Sequence, residues 1–125
     1  MGIRRFEDLV AWQLAQELSL EIFSATADGP VSRDFKFRDQ IRDSAASSAR
    51  NIAAGFGRWS PGDFARFLRY SRASFQETRH HLLDGCERGY FAPALASRLA
   101  NLARAGERAT TNLMLAKLRQ GKDGK

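Results

Sequence analysis

The stretch Ser47 to Tyr70, "SSARNIAAGFGRWSPGDFARFLRY", decides how the chain is read. Small residues run into two glycines, then Arg-Trp, then Ser-Pro, then aromatics alternating with arginines. A dinucleotide fingerprint would follow a strand and carry a third spaced glycine, and a P-loop would end in Lys-Ser or Lys-Thr. Neither condition holds. Gly55 and Gly57 instead suit a helix end, where a left-handed residue satisfies the last carbonyls. Phe56 is expected to fold back on the core and Trp59 to cover the turn. Ser60 followed by Pro61 is a good N-cap with proline at the first helical position. The stretch therefore reads as a corner between two helices. Asn51 is expected to bond the corner backbone around Arg58. The start of the second helix, with Arg58 beside it, also offers a place for an anion.

Outward from that corner, four helices follow from the spacing of apolar residues. The first is expected from about Phe6 to Ala25, ended by the breaker "ADGPVS". The second runs from about Asp34 to Ala54, and the third from Ser60-Pro61 to about Arg88. A turn at "RGYFAP" precedes the fourth, from about Pro93 to Arg119, and residues 120–125 read as a frayed tail. No window alternates with a period of two, so no sheet is expected. The whole of residues 1–125 reads as one domain, an all-α, antiparallel up-down four-helix bundle.

Each helix has a recognisable face. On the fourth, Leu95, Leu99, Leu102, Gly106, Ala109, Leu113 and Ala116 form a heptad seam, with Gly106 and Ala109 letting a neighbouring backbone come close. On the third, Phe64, Phe67, Leu68, Phe75, Leu82 and Cys86 form the apolar stripe, with Ser71 and Thr78 among them. Helix two is small-sided, with Ile41, Ala45, Ser48 and Ile52 on one face. Helix one carries two stripes. Leu9, Trp12, Gln16, Leu20 and Phe23 form one, and Ala11, Leu14, Ala15, Leu18, Ile22 and Ala25 the other. Together they span roughly 240°, against the ~100° a monomer's surface helix needs. The excess is expected to meet another copy of the chain, with Leu9, Trp12 and Phe23 at the interface.

Composition sets the function classes. The chain has 125 residues, 43% hydrophobic and 27% charged, with a net charge of +6. Residues 1–57 hold seven basic and eight acidic side chains, whereas residues 58–119 hold eleven basic and five acidic. Sixteen of the twenty basic residues are arginine, which forks onto phosphate more specifically than lysine. The second half is therefore a candidate for an anionic partner, nucleic acid above all. Arg58, Arg66, Arg69, Arg72 and Arg79 are the candidate contacts. Aromatic interleaving there is poor apart from Tyr70, so sequence-specific stacking is not expected. No run approaches the ~18 apolar residues of a membrane span. The N-terminus lacks the apolar core of a secretory signal, so a cytoplasmic location is the default.

Catalysis requires converging groups, and the sequence supplies none. His80 and His81 are adjacent on one helix and point about 100° apart. "ETRH", Glu77 to His80, is a single Glu-x-x-His match where a di-iron bundle needs two. Cys86 is the only cysteine and reads as a small buried hydrophobe. No enzyme activity, cofactor, metal or small-molecule substrate is expected.

The combination "DQIRDSAASSARNIAAGFGRWSPGDFARFLRYSRASFQETRHHL", with the opening "FEDLVAWQLAQEL", resembles the small bacterial four helix bundle family. Its members were first noticed as open reading frames in intervening sequences of large-subunit ribosomal RNA genes. More remotely, it is similar to the accessory variability determinant proteins of diversity-generating retroelements. The matching positions include Gln40, Arg42, Ser47, Asn51, Ile52, Ala53, Gly55, Arg58, Ser60, Phe64, Phe67, Leu68, Ser74 and Glu77. Ala54 stands where the family usually has Glu, Ala73 where Gly is common, and Thr78 where Leu is frequent. The resemblance implies a homo-oligomeric ring, typically a homopentamer, with no known reaction. For the accessory relatives it implies binding of a reverse transcriptase and of nucleic acid through a basic surface.

Beside the resemblance, Gln40, Ser47, Asn51, Gly55, Ser74 and Glu77 read as structural positions. Polar groups beside apolar stripes must find partners, so they fix helix register. The expected function is a non-enzymatic assembly protein binding RNA through its arginine surface. The alternative is a scaffold that recruits a partner protein without touching nucleic acid.

Overall fold

The computed structural model describes residues 2–58 and 60–124, without the side chains of 122–124. Trp59, expected over the corner, lies outside the described residues, as does Lys125 at the end of the expected tail. Four helices make up the fold: α1 (Val10–Ala25), α2 (Phe35–Phe56), α3 (Pro61–Glu87) and α4 (Pro93–Gly124). No strand occurs among the described residues. α1 packs on α2 and α4, and α3 packs on the same two helices. The four thus close around one core as an all-α bundle.

The starts of α2 and α3 and the end of α3 follow their sequence signals. Asp34 Oδ1 accepts from the Phe37 N–H at 3.3 Å and caps α2. Ser60 Oγ accepts from the Asp63 N–H at 3.1 Å, with Pro61 in the first turn of α3. α3 stops at Gly89, which has φ +80°. There the Tyr90 N–H donates to Gly85 O at 2.8 Å and the Gly89 N–H to Cys86 O at 3.0 Å. That pair of bonds satisfies carbonyls the helix would leave open.

Three local expectations are corrected. Phe6–Asp8 form a separate 3-10 turn, and Leu9 is extended before α1 begins. Gly55 and Gly57 do not supply a left-handed end, because Gly55 lies inside α2 and Gly57 has φ −80°. Gly55 is instead a close-approach position: a Cβ there would stand 2.8 Å from Phe67 Cβ and 2.9 Å from Phe64 Cδ1. α4 also runs past Arg119, to Gly124.

The core is built from the predicted stripes of α1, α2 and α3. Leu18, Ile22, Ile41, Ile52, Leu68, Phe75, Leu82 and Leu99 are all fully buried. On α4 the heptad seam only partly faces inward. Leu99 and Gly106 are buried, while Leu95, Leu102, Ala109 and Leu113 are half-buried. The row beside it, Ala96, Ala103, Thr110 and Met114, completes the buried face. Gly106 admits a side chain rather than a backbone, since an added Cβ would lie 2.5 Å from Phe75 Cε1.

Between α2 and α3 the small residues carry a ladder of hydroxyls. Ser44 and Thr78 share a hydrogen bond of 2.8 Å, Ser47 and Ser74 another of 2.8 Å, and Ser71 donates to Ser48 O at 2.7 Å. Thr78 thus makes a bond across the helix pair from inside an apolar stripe. Each bond is worth about 1 kcal/mol net, and losing one partner in the interior costs more than the bond gave. Among the described residues no buried side-chain polar atom lacks a partner.

Candidate nucleic-acid interface

α3 presents its arginines on a face that turns as the helix advances. At 3.6 residues per turn, Arg66 and Arg79 lie about 140° apart around the axis, with Arg69 and Arg72 between them. The side chains consequently divide into two settings. Arg58, Arg66 and Arg69 are exposed, whereas Arg72 and Arg79 are half-buried.

The outer set is organised by aromatic rings. The Arg58 guanidinium lies 4.4 Å from the centroid of the Phe67 ring, and that of Arg66 lies 5.0 Å from the same ring. Arg66 also stands 6.0 Å from the Tyr70 ring and donates to its hydroxyl at 3.4 Å. Phe67 and Tyr70 meet edge to face at 5.7 Å. The Tyr70 hydrogen bond first, and then the Asp63 carboxylate, hold the Arg66 guanidinium still more firmly protonated than usual. Two cations and two rings thus form one exposed cluster at the corner read from sequence, with Arg69 one turn along. Guanidinium groups lying on rings keep unused N–H donors at their edges, which suits phosphate.

Arg79 is committed elsewhere. Its Nη1 donates to Glu107 Oε1 at 2.8 Å, and Gln76 Nε2 donates to the other oxygen of the same carboxylate at 2.8 Å. The pair is mostly withdrawn from solvent, with side-chain exposures of 34% and 15%. This clasp joins α3 to α4 and leaves Arg79 little freedom to meet phosphate. Sequence spacing cannot show it, because Glu107 lies 28 residues away. The role of Phe67 was hidden for a different reason: it falls on the rim of the apolar stripe and reads as core.

The family-motif positions lie apart from this cluster or beneath it. Asn51 Nδ2 donates to Ser47 O at 2.9 Å and to Ser47 Oγ at 3.0 Å, rather than to the corner backbone. With the Ser47–Ser74 bond and the Ser74 donation to Tyr70 O at 3.1 Å, this makes a continuous chain. It ends on the backbone of the residue that presents the exposed ring. Gln40 and Glu77 are exposed, and Glu77 stands 3.4 Å from His81 Nε2. The structure therefore joins Ser47, Asn51 and Ser74, places Gly55 under Phe67, and leaves Gln40 and Glu77 outside that network.

The expected interface residues are also dispersed. Leu9 is buried in the core of its own chain. Trp12 is half-buried, its ring edge to face on Phe6 at 5.3 Å. Phe23 is exposed and covered on one side by the Arg42 guanidinium, 4.4 Å from its centroid. Leu20, from the same stripe, is 61% exposed.

Among the described residues, no group of three His, Cys, Asp or Glu side chains is placed to hold a metal. No helix among them is long and apolar enough to cross a membrane. Residues 7–118 match the family model described as 23S rRNA-intervening sequence protein. No match was found among curated proteins.

Proposed function

The chain belongs to the 23S rRNA-intervening sequence protein family, and from that premise we propose a non-enzymatic assembly protein. It acts in the cytoplasm as a homo-oligomeric ring of up-down antiparallel bundles. It binds RNA through the surface centred on Arg58, Arg66 and Arg69. The Arg58–Phe67–Arg66–Tyr70 cluster is the observation that carries this reading. It concentrates phosphate donors and one exposed ring on the outside of a helix. The antiparallel arrangement is supported by hydrogen bonds whose order reverses along α2 and α3: 44 with 78, 47 with 74, 48 with 71. Assembly is supported by Val10, Leu20 and Phe23, large apolar side chains left exposed on α1. Five copies is the number that the family resemblance implies.

Titration of a labelled, structured RNA at rising salt tests the reading. Three phosphate contacts per protomer give a fall in affinity of roughly 20- to 40-fold between 50 and 200 mM salt. A ring that engages several protomers at once steepens it. Absent binding, or binding indifferent to salt, overturns the RNA reading and favours the protein-recruiting scaffold.

A further inference from the structure

Two surfaces of the chain are opposite in charge and alike in apolar content. The outward side of α1 forms a shallow concavity that includes Trp12, Gln16, Glu17, Leu20 and Glu21. α1 contains no lysine or arginine, and Glu17 and Glu21 are its only charged residues. The second surface is a groove of about 640 Å³ between α3 and α4. Leu83, Cys86, Ala96 and Ala100 give it an apolar floor, Arg79 and Arg104 give it cations, and no Asp or Glu lines it. Each surface carries one protruding leucine, Leu20 and Leu83, both 61% exposed.

We propose that copies of the chain meet head to tail, the outer face of α1 of one protomer lying in the α3–α4 groove of the next. The inference rests on the homo-oligomer reading above and names its interface. Charge selects this pairing over the symmetrical ones. α1 against α1 brings the Glu17 and Glu21 carboxylates of both copies together, and only Glu21 has a cation of its own protomer, Arg98, paired with it. Groove against groove brings the two Arg104 guanidinium groups together with no carboxylate paired to either, beside the Arg79 groups that Glu107 holds. Juxtaposed like charges disfavour both, and the mixed pairing removes both penalties.

The charges still free within the protomer identify the contact. Glu21 is held by Arg98 at 3.2 Å and Arg79 by Glu107 at 2.8 Å. Arg104 donates to Asn101 at 2.9 Å. Among the described residues, neither Glu17 nor Arg104 forms an ion pair within the chain. They are the pair expected across the boundary, beside Leu20 seated on the floor near Leu83. α3 is also the helix that α1 does not pack on, so the two surfaces face different ways. Such a contact propagates, and closes as a ring when its rotation allows.

The test uses two surface variants of the full chain. Glu17→Arg with Leu20→Asp spoils the α1 face, and Leu83→Asp with Arg104→Glu spoils the groove. All four positions are exposed, and circular dichroism verifies that both variants keep their helix content. Each variant alone is expected to have the mass of a single 14.0 kDa chain. Mixed together, they retain one intact surface each and form a one-to-one dimer that grows no further. The single exchange Glu17→Arg with Arg104→Glu in one chain restores the full assembly. If the groove variant keeps the wild-type mass, or the mixture stays monomeric, the head-to-tail interface is wrong while the oligomer stands. If the wild-type chain is itself a monomer, the oligomer reading fails first.

Discussion

Replacing Gly106 by alanine opposes two effects of similar size, and the structure decides between them. Alanine is the better helix former by about 1 kcal/mol in a helix interior, which favours the variant. The new Cβ, however, would sit 2.5 Å from Phe75 Cε1 and 2.6 Å from Cζ, over 1 Å closer than ordinary contact. Phe75 is fully buried and ringed by core side chains. The buried ring can yield only by pressing on its core neighbours or by moving α3 and α4 apart. Overpacking of that kind costs about 1–3 kcal/mol. The expected net is a loss of about 1 kcal/mol, within a range of about 0–2 kcal/mol. Urea denaturation followed by circular dichroism reads it as a lower midpoint at unchanged slope. Gly62→Ala is the control, because nothing lies within 4 Å of an added Cβ there. It is expected to be neutral or slightly stabilising. Phe75→Leu in the Gly106→Ala background makes room for the methyl, so the two changes together cost less than their sum. A Gly106→Ala variant more stable than the parent would refute the packing argument.

Other outcomes follow from single contacts. Ser71→Ala removes a buried 2.7 Å bond to Ser48 O, and should cost about 1–2 kcal/mol by denaturation, with an unchanged midpoint as the contrary result. Arg66→Ala with Arg69→Ala should weaken RNA binding and flatten its salt slope, while Arg79→Ala mainly lowers stability, by about 1 kcal/mol. The reverse ranking in filter-binding and melting experiments would move the interface to the α4 side. Tyr90 Oη donates to Asp34 Oδ2 at 2.6 Å. That bond, followed by the Phe37 N–H, lowers the Asp34 pKa below its ordinary value. The stabilisation is therefore complete above the ordinary carboxylate pKa of about 3.9 and is lost as pH falls through the depressed folded value. Tyr90→Phe should raise the Asp34 pKa toward 3.9 in a carboxyl NMR titration; no movement would show that the bond is not the main cause.

Much of the fold could be read from local chemistry. Asp34, Ser60-Pro61 and the "RGYFAP" turn mark helix ends because capping depends on neighbours in sequence. The core of α1, α2 and α3 appeared as helical spacing for the same reason. Sequence does not separate the Phe6–Asp8 turn from α1, since its acidic residues suit the start of either kind of helix. Gly55 lies near a helix end in sequence, but its purpose is set by Phe64 and Phe67 on another helix. In sequence the five arginines of the candidate surface form one group by residue type alone. Only three-dimensional packing separates the ring-bound Arg58 and Arg66 from Arg79, which Glu107 holds. Likewise, Leu9 and Leu20 share a stripe in sequence, yet one is buried and the other exposed. Leu9 stands in extended chain just before α1, whereas Leu20 is on the helix itself.

The central claim is that this bundle does not work alone, because α1 leaves Val10, Leu20 and Phe23 exposed in a single copy. Light scattering coupled to size-exclusion chromatography at micromolar concentration measures this directly. The account predicts one species whose mass is a whole-number multiple of 14.0 kDa, five being the number the family resemblance implies. A folded protein eluting with the mass of one chain would contradict it.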